Sequence, residues 1–253
     1  MTTTWDPALY LDFDDLRARP FRDLVARIRA EDPRRVVDLG CGPGNMTATL
    51  AARWPEAIID AIDSSAEMVA AARANGVPAE RRAVEDWTPA PDTDVVVTNA
   101  VLQWVPTHRE LIPRWLAALP PGATFAFQVP GNGAAPSHAL TRALAAQRGV
   151  TVRGEPDVAA PAEYAELMSA PDLAAEVDVW ETTYLQRLTG EDPVLHWLGS
   201  TTLRPVRDAL SAEDYADFTA ELAPQLRAAY PPSADGTTWF PFRRIFGVAR
   251  LPR

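Results

Sequence analysis

The stretch Val36-Val37-Asp38-Leu39-Gly40-Cys41-Gly42-Pro43-Gly44-Asn45 limits the fold more than any other part of the chain. A short apolar run enters a turn with three glycines, and helix-forming residues follow. Glycine permits positive φ and lets a ligand approach the backbone. The helix start behind such a turn offers unpaired N–H groups and a partial positive charge. This is the arrangement in which an open α/β sheet binds a ligand beyond the carboxyl ends of its strands.

The rest of the first half repeats the pattern. The apolar runs 34–40, 57–63, 79–84, 93–100 and 123–130 read as strands, the third of them weak. Helical periodicity separates them at 45–54, from Ser64 to about Asn75, and at 108–118. Ser64 and Glu67 have capping-box spacing, which places the helix start at Ser64. Alternating strands and helices imply a parallel sheet covered on both faces. Ahead of it, Leu16, Phe21, Leu24, Val25 and Ile28 recur at helical spacing. After Pro130 come a turn-rich loop (131–137), helical segments to about 170, a strand at 177–185, a helical stretch at 191–229 and a last strand at 243–251. The last two strands can join the sheet edge. The expected fold is therefore one α/β, Rossmann-like domain over 1–253, with a mostly parallel seven-stranded sheet and a helical insertion near the C-terminus. Its expected parts are an N-terminal lid segment (1–33), a cofactor-binding core (34–130) and a substrate-side region (131–253).

Charge and cysteine usage narrow the function. The 253 residues carry a formal net charge of −10, and every basic residue is an arginine. Such a chain is poorly suited to following nucleic-acid phosphates or an anionic membrane surface, although local arginines can still hold a small acid. Cys41 is the one cysteine, which excludes an internal disulfide and a cysteine-based zinc cluster; it reads as a small buried filler. The first twenty residues lack an apolar core of the kind a secretion signal carries, and no run suits a membrane span. A cytoplasmic monomer with no metal is the expectation.

Asp63 closes the second predicted strand, where its carboxylate can accept hydrogen bonds from two ribose hydroxyls. Two features separate a dinucleotide from S-adenosylmethionine. The dinucleotide fingerprint needs glycine or alanine at the sixth position from Gly40, which here is Asn45. Asp38 would repel a pyrophosphate, yet it suits the ammonium of S-adenosylmethionine.

These residues resemble the class I S-adenosylmethionine-dependent methyltransferases: VVDLGCGPGN is similar to their first motif and DAIDSS to their acidic second-strand motif. The resemblance implies that Gly40, Gly42 and Gly44 surround the methionine part of the cofactor. It places Asp38 at the amino group, Asp63 on the ribose and Asn99 along the pocket, with Cys41, Asn45 and Ser64 beside them. Related sequences carry an Asp after the third strand near the adenine; here Ala83 holds that position, leaving Val84 and Glu85 for the adenine contact.

Segments 5–24, 102–108, 128–138, 178–185 and 237–246 resemble, more narrowly, the trans-aconitate 2-methyltransferase family. That implies transfer of a methyl group to one carboxylate of trans-aconitate, giving a monomethyl ester. A carboxylate is ionised at neutral pH and needs no general base, so no catalytic acid or base is assigned. Positioning falls to Gln103 and Trp104 after the fourth strand. Arg19, Arg142, Arg243 and Arg244 are candidates for holding the other carboxylates, since a guanidinium binds a carboxylate in a fork; any of them can equally be a solvated surface charge. His138 is a hydrogen-bond donor to a carboxylate or part of a helix cap. Tyr10 belongs to a lid or merely packs, and Tyr184 and Tyr230 are further candidates. Alternatives remain: a methyltransferase for another small acid or natural-product acceptor, a nicotinamide-dependent reductase, and a non-catalytic S-adenosylmethionine-binding protein.

Overall fold

A computed structural model describes residues 14–152, 158–170, 173–199 and 201–253. The elements, in chain order, are α1 (Asp14–Ala26), β1 (Arg35–Leu39), α2 (Asn45–Arg53), β2 (Ile58–Asp63), α3 (Ala66–Ala74), β3 (Ala79–Arg81), β4 (Thr93–Asn99), α4 (His108–Ala118) and β5 (Thr124–Pro130). There follow α5 (Pro136–Gln147), α6 (Pro161–Met168), β6 (Glu176–Leu188), α7 (Pro193–Gly199), α8 (Arg204–Ala209), α9 (Ala212–Ala229) and β7 (Thr238–Arg250). Single 3-10 turns lie at Val84–Asp86 and Leu102–Trp104.

The seven strands form one sheet in the order β3-β2-β1-β4-β5-β7-β6. The first five are parallel, and β7 runs antiparallel between β5 and β6. Strand order reverses at β1 and β4, so their C-terminal ends bound the crevice where ligands of open α/β sheets bind. Every residue of β5 is buried, as a strand covered on both faces requires.

Side chains alternate across each strand, and two apolar layers result. On one face Val37, Val96, Phe125, Phe127 and Ile245 pack with Trp115 of α4 and Tyr164 of α6. On the other, Val36, Val95, Val97, Ala126 and Phe246 pack with Phe21 and Leu24 of α1. A third cluster, with Trp197, Phe218, Phe240 and Phe242, joins α5, α7 and α9 to the projecting part of the β6–β7 pair. The fold thus places α1 across the sheet next to the crevice.

Several local boundaries differ from the sequence reading. Ser65, not Ser64, caps α3: its Oγ accepts from Met68 N at 3.2 Å and donates to Glu67 at 2.7 Å. Asp63 Oδ1 accepts from Ser65 N at 2.9 Å, which fixes this one-residue offset. The helical stretch 191–229 is divided among α7, α8 and α9. Strand β7 starts at Thr238 instead of 243, through an exposed Pro241 paired with Leu185.

Candidate active site

The glycine turn after β1 is held from two sides. Gly40 N and Cys41 N both donate to Ile62 O, at 2.8 and 2.9 Å, tying the turn to the end of β2. Gly40, Gly42 and Gly44 all have positive φ, at 81°, 54° and 84°. A Cβ on Gly40 would lie 2.2 Å from a Val101 methyl carbon, so packing as well as φ requires glycine there. A Cβ on Gly42 would meet nothing within 4 Å. Its backbone therefore faces open space that a ligand can enter.

That space is a pocket bordered by Asp38, Gly42, Asn45 and Asn99 from the sheet side and by Ala18 and Phe21 of α1. Asp38 is buried, and its Oδ2 accepts from Thr47 Oγ1 at 2.6 Å. Burial raises its pKa to about 6, with the Asp63 charge adding to the effect and the Thr47 hydrogen bond opposing it. Asp63 Oδ2 accepts from Gly42 N at 2.9 Å. Burial also raises the Asp63 pKa, against three backbone N–H groups that stabilise its charged form. A carboxylate has about four acceptor positions, so Asp63 can still accept from a ligand. Asn99 Oδ1 is buried without a hydrogen-bond partner.

Arg82 N donates to Asp63 O at 3.0 Å, which lays residues 82–85 beside the end of β2. Val84 is buried under this turn, whereas the Glu85 side chain is exposed. Ser64 is exposed as well, its carbonyl accepting from Arg81 Nε at 3.3 Å. Cys41 lies among Ala61, Val69, Ala72 and Val77, and burial, then the Asp38 and Asp63 charges, push its thiol pKa up. It fills space between β2 and α3 and is unsuited to act as a nucleophile.

Beyond β4 the chain turns sharply at Ala100, whose φ is 57°. Alanine in this left-handed region is strained, and hydrogen bonds clamp it: Ala100 N donates to Gln128 O at 2.9 Å, and Gln103 Nε2 donates to Ala100 O at 2.6 Å. Gln103 is thus buried and turned back onto the backbone, while Trp104 beside it is 45% exposed and no part of the core.

The arginines divide by strand alternation. Arg244 and Arg243 are consecutive in β7 and point to opposite faces. Arg244 is buried on the α1 side, its guanidinium carbon 4.6 Å from the Phe242 ring centre. Arg243 lies on the other face in an ion pair with Glu181, and its Nη1 donates to Gly131 O at 3.3 Å. Arg19 of α1 stacks 4.9 Å from the ring centre of Tyr184, whose hydroxyl donates to Asp23 Oδ2 at 2.6 Å. Burial and the Asp23 hydrogen bond raise the Tyr184 pKa, opposed by the charges of Arg19 and Arg244. Arg19, Tyr184 and Arg244 therefore come together; Arg243 does not join them.

His138 is buried in the first turn of α5, with Nδ1 3.0 Å from Ser137 Oγ and Nε2 3.3 Å from Thr202 Oγ1. Tyr230 accepts from Ser137 N at 3.1 Å, and Arg142 donates to Gly133 O, so both brace the 131–137 loop. Tyr10 lies outside the described residues. Among the described residues, no group of three or more His, Cys, Asp or Glu side chains is placed to hold a metal ion.

One residue escaped the sequence reading. Gln128, near the end of the buried strand β5, is 1% exposed, and neither its Nε2 nor its Oε1 has a hydrogen-bond partner. The available signal was a lone polar residue near the C-terminal end of an apolar strand.

Comparison with known proteins decides the family. A methyltransferase-domain family model matches residues 13–176. The chain is 58% identical over 254 aligned residues to the trans-aconitate 2-methyltransferase of Rhodococcus jostii, covering 98% of this chain and 99% of that one. The chain belongs to the trans-aconitate 2-methyltransferase family. The corresponding enzymes of Mycolicibacterium gilvum and Mycobacterium tuberculosis are 56% and 54% identical, over 98% of this chain and 99% and 97% of theirs. It is an enzyme family of methyl transfer, and solved structures agree on the fold. The YcgJ protein of Bacillus subtilis superposes with a TM-score of 0.59 at 15% identity, covering 93% of this chain and 99% of that one. Phosphoethanolamine N-methyltransferase 2 of Haemonchus contortus, solved with S-adenosyl-L-methionine, gives 0.56 at 16% identity over 93% of this chain and 53% of its own.

Proposed function

We propose that this chain is an S-adenosylmethionine-dependent methyltransferase that converts trans-aconitate to a monomethyl ester. The observation that carries the cofactor reading is the pairing of a buried Asp38 with the open backbone of Gly42 in one pocket. A cationic amino group offsets the burial of Asp38, whereas a pyrophosphate would compound it. The substrate reading is supported by near full-length similarity to relatives bearing that name.

S-adenosylmethionine, when bound, supplies an electrophilic methyl group on a sulfonium. Asp38 and Asn99 Oδ1 would hold its ammonium, and Asp63 would accept from its ribose hydroxyls. Gly40, Cys41, Gly42, Gly44 and Asn45 contribute the turn against which it lies, and Ser64, Val84 and Glu85 lie toward the adenine end, where Ala83 leaves a backbone contact. Ala18 and Phe21 cover the pocket and keep water from it. On the acid side, Arg244 and Arg19 flank Tyr184 and attract carboxylates, and Gln103 holds the Ala100 turn while Trp104 borders the mouth. His138 acts through the 131–137 loop. Tyr10 would serve as a lid residue, and Arg243, paired with Glu181, as a more distant positive charge. No proton needs to leave the acceptor, because a carboxylate is already ionised. The residues of this site would speed the transfer by holding the carboxylate in reach of the methyl group and away from water.

The chain is read as one domain, since the last two strands complete the sheet begun by the first five. A cytoplasmic monomer without metal suits this role; among the described residues no helix is long and apolar enough to cross a membrane. Mass spectrometry tests the whole reading. Purified protein incubated with S-adenosylmethionine and separate samples of trans-aconitate, cis-aconitate, isocitrate and citrate should add one methyl group to trans-aconitate and release S-adenosylhomocysteine. Methylation of a different acid alone would replace the substrate, and cofactor binding without any product would reduce the protein to a sensor.

A further inference from the structure

We infer that Gln128 is a specificity-determining residue of the acceptor site, its Nε2 donating a hydrogen bond to a carboxylate of the acid; this rests on the proposed function above. Gln128 stands in register beside Asn99 of β4 and opposite Phe246 of β7. Those neighbours, with Ala126, face α1, the side on which Asn99 and Phe21 border the pocket. Arg244 is its diagonal neighbour across the β5–β7 pair, two residues from Phe246 on the same face. Gln128 therefore lies between the residue that closes the cofactor pocket and the buried guanidinium of the acid side.

Its burial is hard to explain without a ligand. A buried amide ordinarily finds partners, because leaving donor and acceptor unmade destabilises the fold. Here both atoms lack one, toward the C-terminal end of a strand whose other side chains are all apolar or small. The backbone does not need the side chain: Gln128 O receives Ala100 N whatever residue occupies position 128. An amide also suits this place better than a second cation. It offers donors to an oxygen anion without adding charge that would repel the sulfonium nearby.

The test is Gln128→Met, which keeps the length and removes both polar atoms. If the amide serves a ligand, the ligand-free variant gains stability, with Tm rising by about 2–8 °C. At the same time kcat/KM for the acid falls by about 10- to 100-fold, while S-adenosylhomocysteine affinity stays within about twofold. A Tm that does not rise, or a kcat/KM within about twofold of the unmodified protein, overturns the inference, since a structural glutamine would give the first and an idle one the second. If the unmodified protein methylates none of the acids, the functional reading fails separately. Thermal shifts with trans-aconitate and citrate, in the presence of S-adenosylhomocysteine, then decide the role of Gln128. A shift in the unmodified protein that Gln128→Met abolishes keeps the inference, and no such difference ends it.

Discussion

The two ends of the parallel strands solve their charges in opposite ways. At the N-terminal ends Arg35 bridges Asp60 at 2.6 Å and Asp92 at 2.9 Å, and Arg34 holds Asp94 at 2.7 Å. Each partner there is satisfied within the protein: the two aspartates beside β4 have lowered pKa values because the arginines stabilise their charge, and Arg35 is raised by Asp92 and Asp60. At the C-terminal ends Asp38 is buried with a raised pKa, and Asn99, Gln103 and Gln128 keep atoms with no partner. The same strands thus carry finished electrostatics at one end and unfinished electrostatics at the other. Where such groups border a pocket, as Asp38 and Asn99 do, a ligand can complete them.

This contrast fails or sharpens by substitution. The largest effect is expected at Asp63. Asp63→Ala removes the carboxylate that meets Gly42 N and that is proposed to hold the ribose, so S-adenosylhomocysteine affinity should fall by about 100-fold in calorimetry while circular dichroism stays native. Unchanged affinity would remove Asp63 from the site. Next comes the pair of consecutive arginines. Arg244→Met should raise the acid KM by about tenfold or more with cofactor affinity preserved, whereas Arg243→Met, on the opposite face, should stay within about twofold. Equal losses in both would erase the distinction between the two faces.

The pH response of Asp38 is smaller and has a definite sign. Its folded pKa of about 6 lies above the ordinary 3.8, so the folded ligand-free protein binds the proton more tightly. Stability from this group is present at low pH and is lost as pH rises from about 4 to 6. Cofactor affinity runs the other way, weakening by up to about tenfold per unit below pH 6 as Asp38 takes up its proton. Asp38→Asn should flatten both trends, and a slope that persists would point to Asp63, also raised. The smallest effect belongs to the paired end. Asp60→Asn should lower Tm by no more than about 2 °C and leave cofactor affinity unchanged.

The glycine turn after β1 was legible because its signals are local. One ten-residue run carries the strand, the turn and the helix start, and its glycines answer to φ and to contacts such as Val101 on Gly40. Helix α4 and the first five strands were readable from periodicity for the same reason. The acid side was not, because its geometry depends on pairing between distant segments. Arg243 and Arg244 look equivalent in sequence, and only the register of β7 assigns them to opposite faces. Gln128 passed unnoticed because a single polar residue in an apolar strand has no meaning until Asn99 and Arg244 are placed beside it. Pro241 hid the first residues of β7, since proline within a run argues against a strand unless its N–H side is free.

A crystal structure of the ternary complex with S-adenosylhomocysteine and trans-aconitate would test this contrast between the two strand ends most directly. The cofactor ammonium should lie on Asp38, the ribose on Asp63, and carboxylate oxygens within hydrogen-bond distance of Arg244 and Gln128. An acid bound on the opposite face, near Glu181 and Arg243, with Gln128 still unpartnered, would contradict it.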